Sequence, residues 1–533
     1  MRIAIVHFHL QTGGVTRVIQ HACAALAAAG HRVAVLCGEP PRQPEAFAAR
    51  LAVIPALGYE ERRAPLGPDA LGAAMARAAR RALGGAPDLW HIHNHCLGKN
   101  LALPGAVRGL AEAGQPLLLQ PHDFAEDGRP ALYRRMLEVL GGKDGAILAA
   151  RIYPLAPHIH YATLNARDDR FLAAAGVPDA QRHRLPNAAS FATEPLQPPR
   201  RKTRVAPGGT HMDGERGAKT DRPSGDVTER NMDVNTGGQA GAEPAVCGLD
   251  HRRWLYPCRA IRRKNLGELL FWATLAGPED RFATTQAPQN PLEQPIYARW
   301  VALAAELALP VDFALGARCG DFAALLASSH ALISTSVGEG FGLAFLEPWL
   351  IDRPLAGRDL PEITADFAAD GLDLGALYQR LPVPLEWLDA AALRQRMDAA
   401  LAAATRAYGR AREREDLARA WAAAVDHRDP DRIDFGRLDE EAQIEVLRHL
   451  RTDPAARSAL DITTPPLMAE AERMAHNRAI VEREYMLDGY RRRLEAIYRA
   501  LLAAPSAPVR DQADGQALIA RFQAPERLFL LRT

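Results

Sequence analysis

Two glutamates bracket a glycine-rich turn in VGEGFGLAFLEPW, residues 337–349. Glu339 precedes the turn, and the seven residues between it and Glu347 are all apolar or glycine. The preceding HALISTS predicts a strand, and FGLAFLEPWL predicts a helix of about two turns with a kink or an early stop at Pro348. Because helical side chains lean toward the start of their helix, we expect both carboxylates at the carboxyl end of that strand.

The start of the predicted helix suits an anion. Unpaired backbone N–H groups and the positive end of the helix dipole favour a phosphate at the amides of Gly342 and Leu343. Gly340 allows a ligand to approach the backbone closely. Carboxylates only accept hydrogen bonds, so the arrangement suits a ligand with phosphate and vicinal hydroxyls, such as a nucleotide sugar. Alternatively, Glu347 simply faces solvent, and Glu339 is present only because the helix dipole favours a negative charge at the start of a helix.

Two cations follow another predicted strand, in YPCRAIRRKNLGELL. Arg259 and Lys264 precede a helix that we expect to start near Asn265. Cations at the carboxyl edge of a sheet would neutralise a diphosphate leaving group, whose negative charge grows in the transition state. A basic turn on the protein surface is the alternative.

Small and polar residues follow predicted strands of the first half. Gly13 and Gly14 form a turn after the first strand, either a simple tight turn or a ligand-facing loop. His122 and Asp123 follow PLLLQP, where such a pair can orient a hydroxyl or transfer a proton. A capped, hydrogen-bonded turn is the alternative there.

Three histidines in WHIHNHC superficially suggest zinc. Alternation along a strand alone places His91, His93 and His95 on one face, and no cysteine or carboxylate stands at ligand spacing. We therefore predict no metal site.

The composition narrows the class of protein. The 65 basic and 64 acidic residues nearly cancel, which removes the electrostatic reason to expect nucleic acid as a partner. The six cysteines are scattered without a Cys-x-x-Cys pair, so we expect a reducing cytoplasm. No run approaches the roughly 20 apolar residues that span a bilayer, and the N-terminus lacks the features of a signal peptide.

Strand, helix and strand patterns alternate from the first residue, which predicts parallel α/β sheets. The predicted units are a Rossmann-like domain at 1–190, a second one at 251–428 and a helical C-terminal extension at 429–533 that in part packs back on the first domain. Between the two domains, residues 191–250 contain too few apolar side chains to form an ordered core. We interpret this stretch as a linker or a disordered insertion.

The glutamates and the residues between them resemble the E-x7-E element of retaining family 4 glycosyltransferases, and Arg259 with Lys264 resembles the G-R-L-x-x-x-K-G element of that family. Pro257-Cys258 and Asn265 depart from the usual residues of the second element. The resemblance covers about 1–190 and 250–370, and it implies the GT-B fold, in which two Rossmann-like domains face each other across a cleft.

The resemblance also implies roles for individual residues. Glu339 and His122, with Gly340 and Phe341, would contact the donor sugar, and Glu347 the ribose. The donor phosphates would meet Gly14, Arg259, Lys264, Gly342 and Leu343. Catalysis would rest on His122, Glu339, Arg259 and Lys264, and the acceptor would lie near Gly13, Asp123, Asp127 and Arg129, where an arginine suits a carboxylate or a phosphate.

The implied reaction is retaining transfer of a hexosyl unit from a UDP-, GDP- or ADP-hexose to a hydroxyl acceptor, with no cofactor or metal required. Alternatives are another GT-B activity, a sugar phosphorylase or a nucleotide-sugar epimerase, and a non-catalytic GT-B protein that binds a sugar or a partner. The sequence does not indicate an oligomeric state.

Overall fold

The computed structural model describes residues 1–11, 13–60, 66–189, 251–319, 321–460, 462 and 471–532. The interpretation of 191–250 as a linker therefore concerns residues outside the described part of the chain, as does Cys247. The cysteines that the structure describes are free thiols: Cys23, Cys37, Cys96, Cys258 and Cys319.

The first half is built on a seven-stranded parallel sheet. Its first strand reads RIAIVHFH, and six of these residues are buried, as is usual for a parallel strand covered by helices on both faces. The strands of this half are β1 (Arg2–His9), β2 (Arg32–Glu39), β3 (Arg50–Val53), β4 (Leu89–His93), β5 (Leu117–Gln120), β6 (Pro154–Leu155), β7 (Ile159–Thr163) and β8 (Arg182–Arg184). The order in the sheet is β3-β2-β1-β4-β5-β7-β8.

The helices of the first half cover both faces of this sheet. Apolar residues of two of them pack on opposite faces, Ile19 on one and Met75 on the other. The helices are α1 (Gly14–Ala28), α2 (Pro68–Leu83), α3 (Ala102–Glu112), α4 (Pro130–Val139), α5 (Gly145–Ile152) and α6 (Ala166–Ala174).

A five-stranded parallel sheet forms the second half. The strands are β9 (Arg252–Arg259), β10 (Asp280–Gln286), β11 (Val311–Asp312), β12 (Ala331–Ser334), β13 (Leu355–Gly357), β14 (Pro382–Pro384) and β15 (Arg432–Asp434). The sheet has the order β11-β10-β9-β12-β13, and β14 pairs with β15 separately, in antiparallel fashion.

The helices of the second half extend to residue 459. The last two pack on the same core as the sheet, since Val446 and Leu447 of the first and Ala456 of the second belong to the cluster around Trp272. The helices are α7 (Leu266–Thr274), α8 (Gln294–Glu306), α9 (Leu315–Arg318), α10 (Phe322–Ala327), α11 (Glu347–Leu350), α12 (Pro361–Ala369), α13 (Ala390–Ala407), α14 (Asp416–Ala424), α15 (Glu440–Thr452) and α16 (Pro454–Ala459).

The two sheets face each other with the carboxyl ends of their strands. Asn165, which follows β7, donates a hydrogen bond across the cleft to the carbonyl of Gly340, which follows β12, at 2.8 Å. In each sheet the strand order reverses beside the first strand, between β1 and β4 and between β9 and β12. Open α/β sheets bind ligands at such reversals. The predicted GT-B architecture is thereby confirmed.

The C-terminal segment contacts both domains in turn. It contains α17 (Ala471–Glu484), α18 (Leu487–Ala503), β16 (Asp511–Gln512) and α19 (Gly515–Phe522). Val481 and Tyr485 pack in a cluster with residues of the second domain, whereas α18 packs on α1 and α19 on α5 and α6. After α19 the chain returns to the second domain, where Leu530 joins the main core cluster. The predicted domain boundaries remain an interpretation.

Helix α18 supplies a substantial part of the first domain's core. Leu494 is fully buried in the cluster that contains Ile19 and Leu26, although it is far from them in sequence. We expect Leu494→Ala to lower the free energy of unfolding by about 2–5 kcal/mol, because it removes buried methyl groups and leaves a cavity. Leu502→Ala is the matched control, since Leu502 on the same helix is 38% exposed and should change stability little. Equal losses in urea denaturation would contradict this packing.

Candidate functional site

A buried ion pair joins the two loops that follow β9 and β12. Lys264 Nζ contacts a carboxylate oxygen of Glu339, and the two side chains are 15% and 10% exposed. A backbone hydrogen bond also links the loops, in which the N–H of Val337 donates to the carbonyl of Arg263 at 2.9 Å. Thr335 Oγ1 in addition donates to Lys264 O at 3.1 Å. A predicted cation and a predicted carboxylate thus meet at the strand-order reversal of the second sheet.

The surroundings of Glu339 favour its charged form. Burial raises the pKa of Glu339, but Lys264 and Arg263, together with hydrogen bonds from Lys264 and Ser336, outweigh it and leave the pKa below its ordinary value. The side chain is therefore a carboxylate at neutral pH, able to accept hydrogen bonds from hydroxyl groups.

The segment between the two glutamates is not one helix, so that prediction is wrong. A turn of 3-10 helix covers Leu343–Phe345, and α11 begins only at Glu347. Pro348 lies in the first turn of α11, where its missing N–H costs nothing, rather than ending a longer helix. Gly342 has a φ of 93°, and a Cβ there would lie 2.8 Å from Ile363. A side chain at 342 would therefore push the turn away from α12.

Glu347 contacts the opposite domain. Its Oε1 lies 3.6 Å from Nη1 of Arg17 on α1, and its side chain is 24% exposed. Burial raises the pKa of Glu347 to about 7, and Arg17 offsets only part of this effect. Arg17 was not predicted as a site residue, although it lies in the first turn of α1, directly after Gly13 and Gly14.

The glycines of the first loop border the cleft at the start of α1. Both are exposed, and the backbone of Gly13 is extended, with a φ of 173°. A Cβ on Gly14 would meet no atom within 4 Å in the described residues, so local packing does not require a glycine there.

Arg259 ends β9 with an exposed side chain. It makes no ion pair within the described ranges, in contrast to Lys264, which is paired with Glu339. Arg259 thus presents an available cation at the same sheet edge.

His122 lies in a row of buried histidines at the end of β4 and β5. Its Nε2 is 2.8 Å from Nδ1 of His93, and its backbone N–H donates to Oδ1 of Asn94 at 2.7 Å. Burial, and secondarily His91, lowers the pKa of His122 to about 3. His122 is therefore neutral at physiological pH, a hydrogen-bonding group rather than a cation.

Hydrogen bonds to neighbouring elements hold His91 and His95 in place. His91 bonds the hydroxyl of Tyr498 on α18 at 2.8 Å, and His95 bonds the carbonyl of Ile152 at 2.8 Å. Across the ranges that the structure describes, no group of three or more His, Cys, Asp or Glu side chains is arranged to hold a metal ion.

The predicted acceptor residues form two ion pairs. Arg129 Nη2 lies 2.9 Å from Oδ1 of Asp123, and both side chains are more than one third exposed. Asp127 instead accepts from Arg532 of the C-terminal segment, at 2.8 Å. Burial raises the pKa of Asp127, but Arg532 and three further arginines bring it below its ordinary value. Arg532 was not predicted as a site residue, because no local pattern around it indicates which loop its side chain reaches.

The match to a known protein family lies within the first domain. Residues 13–188 match the family model of the glycosyl transferase 4-like domain. The resemblance to family 4 glycosyltransferases is confirmed. Mannosylglucosyl-3-phosphoglycerate synthase of Petrotoga mobilis is 26% identical over 286 residues, or 52% of this chain and 48% of that protein. The chain spans about half the length of this curated relative, and the two matches support a glycosyltransferase.

Solved structures with a similar course of the chain include Anabaena Alr3699/HepE in complex with UDP and glucose. That structure has a TM-score of 0.48 at 11% identity, with 94% of this chain and 99% of that chain covered. A glycosyltransferase from Rickettsia africae ESF-5 has a TM-score of 0.47 at 11% identity, with 94% and 98% covered. Within the described residues, no helix combines the length and the apolar character needed to cross a membrane.

The raised pKa of Glu347 predicts a pH-dependent stability. The folded protein holds a proton on Glu347 from the ordinary glutamate pKa up to about 7, so stability should fall as the pH rises through this window. Glu347→Gln removes the contribution of Glu347 to this loss of stability. We expect the variant to be more stable than the parent by about 1–2 kcal/mol near pH 8, after discounting for partial exposure, and similar near pH 5.

Urea denaturation at both pH values measures this difference. The exposed Glu445 on α15 offers the control Glu445→Gln, which should follow the parent at both pH values. A Glu347→Gln curve that also follows the parent would show that the carboxyl group titrates normally.

Proposed function

We propose that the protein transfers a hexosyl unit from a nucleotide sugar to a hydroxyl acceptor, with retention of the anomeric configuration. The observation that carries this proposal is the placement of Arg259, Lys264 and Glu339 at the carboxyl ends of β9 and β12, where the strand order reverses. Two cations and a carboxylate in that place suit a diphosphate joined to a sugar.

In this proposal each charged group has a separate task. Arg259 and Lys264 stabilise the diphosphate as it leaves, and they act on charge that develops in the transition state and hence on rate. The carboxylate of Glu339 accepts hydrogen bonds from hydroxyls of the donor sugar, and Lys264 holds it charged and in place.

Glu347 and the turn before it bind the nucleotide part. Ribose hydroxyls would donate to Glu347, and the amides of Gly342 and Leu343 would donate to a phosphate. Gly14, with open space around its Cβ position, allows the diphosphate to lie close to the start of α1. Gly340 and Phe341 border the sugar from the other side of the cleft.

The proposed chemical step needs no covalent intermediate. The bond between the anomeric carbon and the diphosphate oxygen breaks, the acceptor oxygen bonds the same carbon on the same face, and the acceptor proton passes to the departing phosphate. His122, neutral at physiological pH, hydrogen-bonds the sugar near this carbon. The positive charge comes from side chains, so the proposal requires no metal or cofactor, and we place the reaction in the cytoplasm.

The name of the Petrotoga relative describes a product with mannosyl and glucosyl units, which supports a hexosyl group as the unit transferred. The proposal leaves open whether the donor carries uridine, guanosine or adenosine. It assigns Gly13, Asp123, Asp127 and Arg129 to the acceptor side of the cleft.

The first test is thermal unfolding with UDP, GDP, ADP and their glucose and mannose conjugates. A ligand at about 100 times its dissociation constant should stabilise the protein by roughly 2.7 kcal/mol. The stabilising conjugate then serves as donor in a turnover assay, where NMR of the product assigns the anomer. Formation of a sugar 1-phosphate from a glycoside and inorganic phosphate, with no turnover of any nucleotide sugar, would favour a phosphorylase, and an inverted product would exclude retention.

Lys264→Met tests the proposed leaving-group role. We expect kcat/KM to fall about 10²- to 10³-fold, the range for loss of one group that stabilises transition-state charge. Lys143→Met replaces an exposed lysine of the first domain and should leave kcat/KM unchanged. Unaltered turnover in Lys264→Met would remove this residue from the reaction.

The pH dependence of donor binding distinguishes the proposed role of Glu347 from that of Glu339. Ribose hydroxyls favour the charged form of Glu347, so a nucleotide sugar should bind more tightly at about pH 8 than at about pH 6. Nucleotide sugars suit this measurement because both phosphates of their diphosphate are esterified and do not titrate in that range. Calorimetry with Glu347→Gln should show weaker binding without the pH dependence, and an unchanged slope would contradict the assignment.

A further inference from the structure

A second cavity of the second domain, which we call the rear cavity, lies away from the cleft. Its volume is about 450 Å³, within the usual range for sites that hold small molecules. Gly277, Pro278 and Pro310 line it, at the amino ends of β10 and β11. Arg259 and Lys264 lie at the opposite edge of this sheet, and the seven residues of β10 separate the two edges by about 20 Å. A ligand in the rear cavity would therefore not touch the proposed donor site.

Three arginines line the rear cavity, and none of its lining residues is acidic. They come from separate elements: Arg281 from β10, Arg451 from the last turn of α15 and Arg457 from α16. Within the described ranges, none of the three forms an ion pair with a carboxylate. Like charges on one cavity wall repel each other, and an anion bound among them would offset that repulsion.

Backbone carbonyl groups hold the three guanidinium groups in place. Arg451 Nε donates to the carbonyl of Leu307, at the end of α8, at 3.0 Å. Arg457 Nη2 donates to the carbonyl of Thr274, at the end of α7, at 2.6 Å. Arg281 Nη1 donates to the carbonyl of the preceding residue at 2.8 Å. Each guanidinium thus uses one nitrogen to bind the fold. In the part of the chain that the structure describes, its other N–H groups have no protein acceptor.

The acidic residues that are closest to these arginines in sequence do not line the rear cavity. The two carboxylate oxygens of Asp280 accept hydrogen bonds from Trp254 Nε1 at 3.0 Å and from Arg252 Nη2 at 3.1 Å. Asp453 caps α16 by accepting from a backbone N–H at 2.8 Å. Glu279 is exposed and lies outside the lining. The wall of the rear cavity therefore carries three positive charges and no negative one.

The chemistry of this wall indicates the class of ligand. Guanidinium groups bind phosphate oxygens through charge-assisted, often paired hydrogen bonds, and a phosphate offers enough oxygens for several arginines at once. Beside the arginines, Ala276, Ala308 and Leu309 form an apolar part of the lining, which suits the organic part of a ligand.

We propose that the rear cavity binds a phosphorylated small molecule, with its phosphate held by Arg281, Arg451 and Arg457. This ligand is neither the donor nor the acceptor of the proposed transfer, because the cavity lies at the edge of the sheet opposite the cleft. The inference therefore does not depend on the proposed function.

Calorimetry on the full chain tests the inference with two probes, glycerol and glycerol 2-phosphate. The phosphate ester should bind and glycerol should not, because only the ester carries the anion. Binding of both probes alike, or of neither, would overturn the inference.

Variants assign the binding to the rear cavity. The side chains of Arg451 and Arg457 are exposed, so Arg451→Gln and Arg457→Gln should leave folding intact. Each change removes one cation from the wall, and we expect it to weaken the binding of glycerol 2-phosphate about tenfold. Arg414→Gln, at another exposed arginine of the second domain, is the matched control and should bind as the parent does. Equal affinity of the three variants would overturn the inference.

Two further measurements exclude other sources of binding. The ester could meet Arg259 and Lys264 in the cleft, so the Lys264→Met protein is titrated alongside. Loss of binding in Lys264→Met but not in Arg451→Gln would place the anion in the cleft and overturn the inference. Sedimentation with phosphatidylcholine vesicles, with and without phosphatidic acid, tests a lipid head group. Binding to the acidic vesicles that requires Arg457, without binding of the soluble ester, would overturn the assignment to a small molecule.

Discussion

A buried arginine holds together a helix and two strands of the second domain beside the cleft. Arg358, directly after β13, is 2% exposed and bonds Glu268 of α7 at 2.6 Å and Asp434 of β15 at 2.8 Å. Its backbone N–H also donates to Ser334 at the end of β12. Two carboxylates around one guanidinium are tolerable in a core only while all three charges are present, since removal of one leaves an uncompensated buried charge.

The loop that follows Arg358 positions groups on two sides. Ile363 packs against the turn at Gly342, and Glu362 forms the ion pair with Arg527. The turn at Gly342 and the C-terminal segment therefore share one support. A change in the direction of this loop would therefore displace both at once.

The sequence predicts the architecture well where local patterns are strong. Apolar runs identify β1, β4, β5, β9 and β12, because buried parallel strands are almost continuously apolar. β10 was not predicted, since its residues DRFATTQ are largely polar. The helix predicted over 341–350 fails because the left-handed backbone at Gly342 and the position of Pro348 divide it, and spacing alone does not reveal this.

The sequence predicted individual residues of the candidate site but few of the contacts between them. The meeting of Lys264 with Glu339 follows from their places at the ends of neighbouring strands. The contacts of Arg17, Arg527 and Arg532 follow from long-range packing of helices and of the C-terminal segment, which leaves no periodic signal in the sequence. The roles of individual residues in binding and catalysis remain predictions.

The C-terminal segment crosses between the domains at two places, after Tyr485 and between Phe522 and Pro525. Two crossing points define a line in space. Rotation about that line leaves the length of each crossing unchanged, whereas any other large rotation stretches at least one of them. These two crossings of the C-terminal segment thus favour rotation about that line over other rotations of one domain against the other.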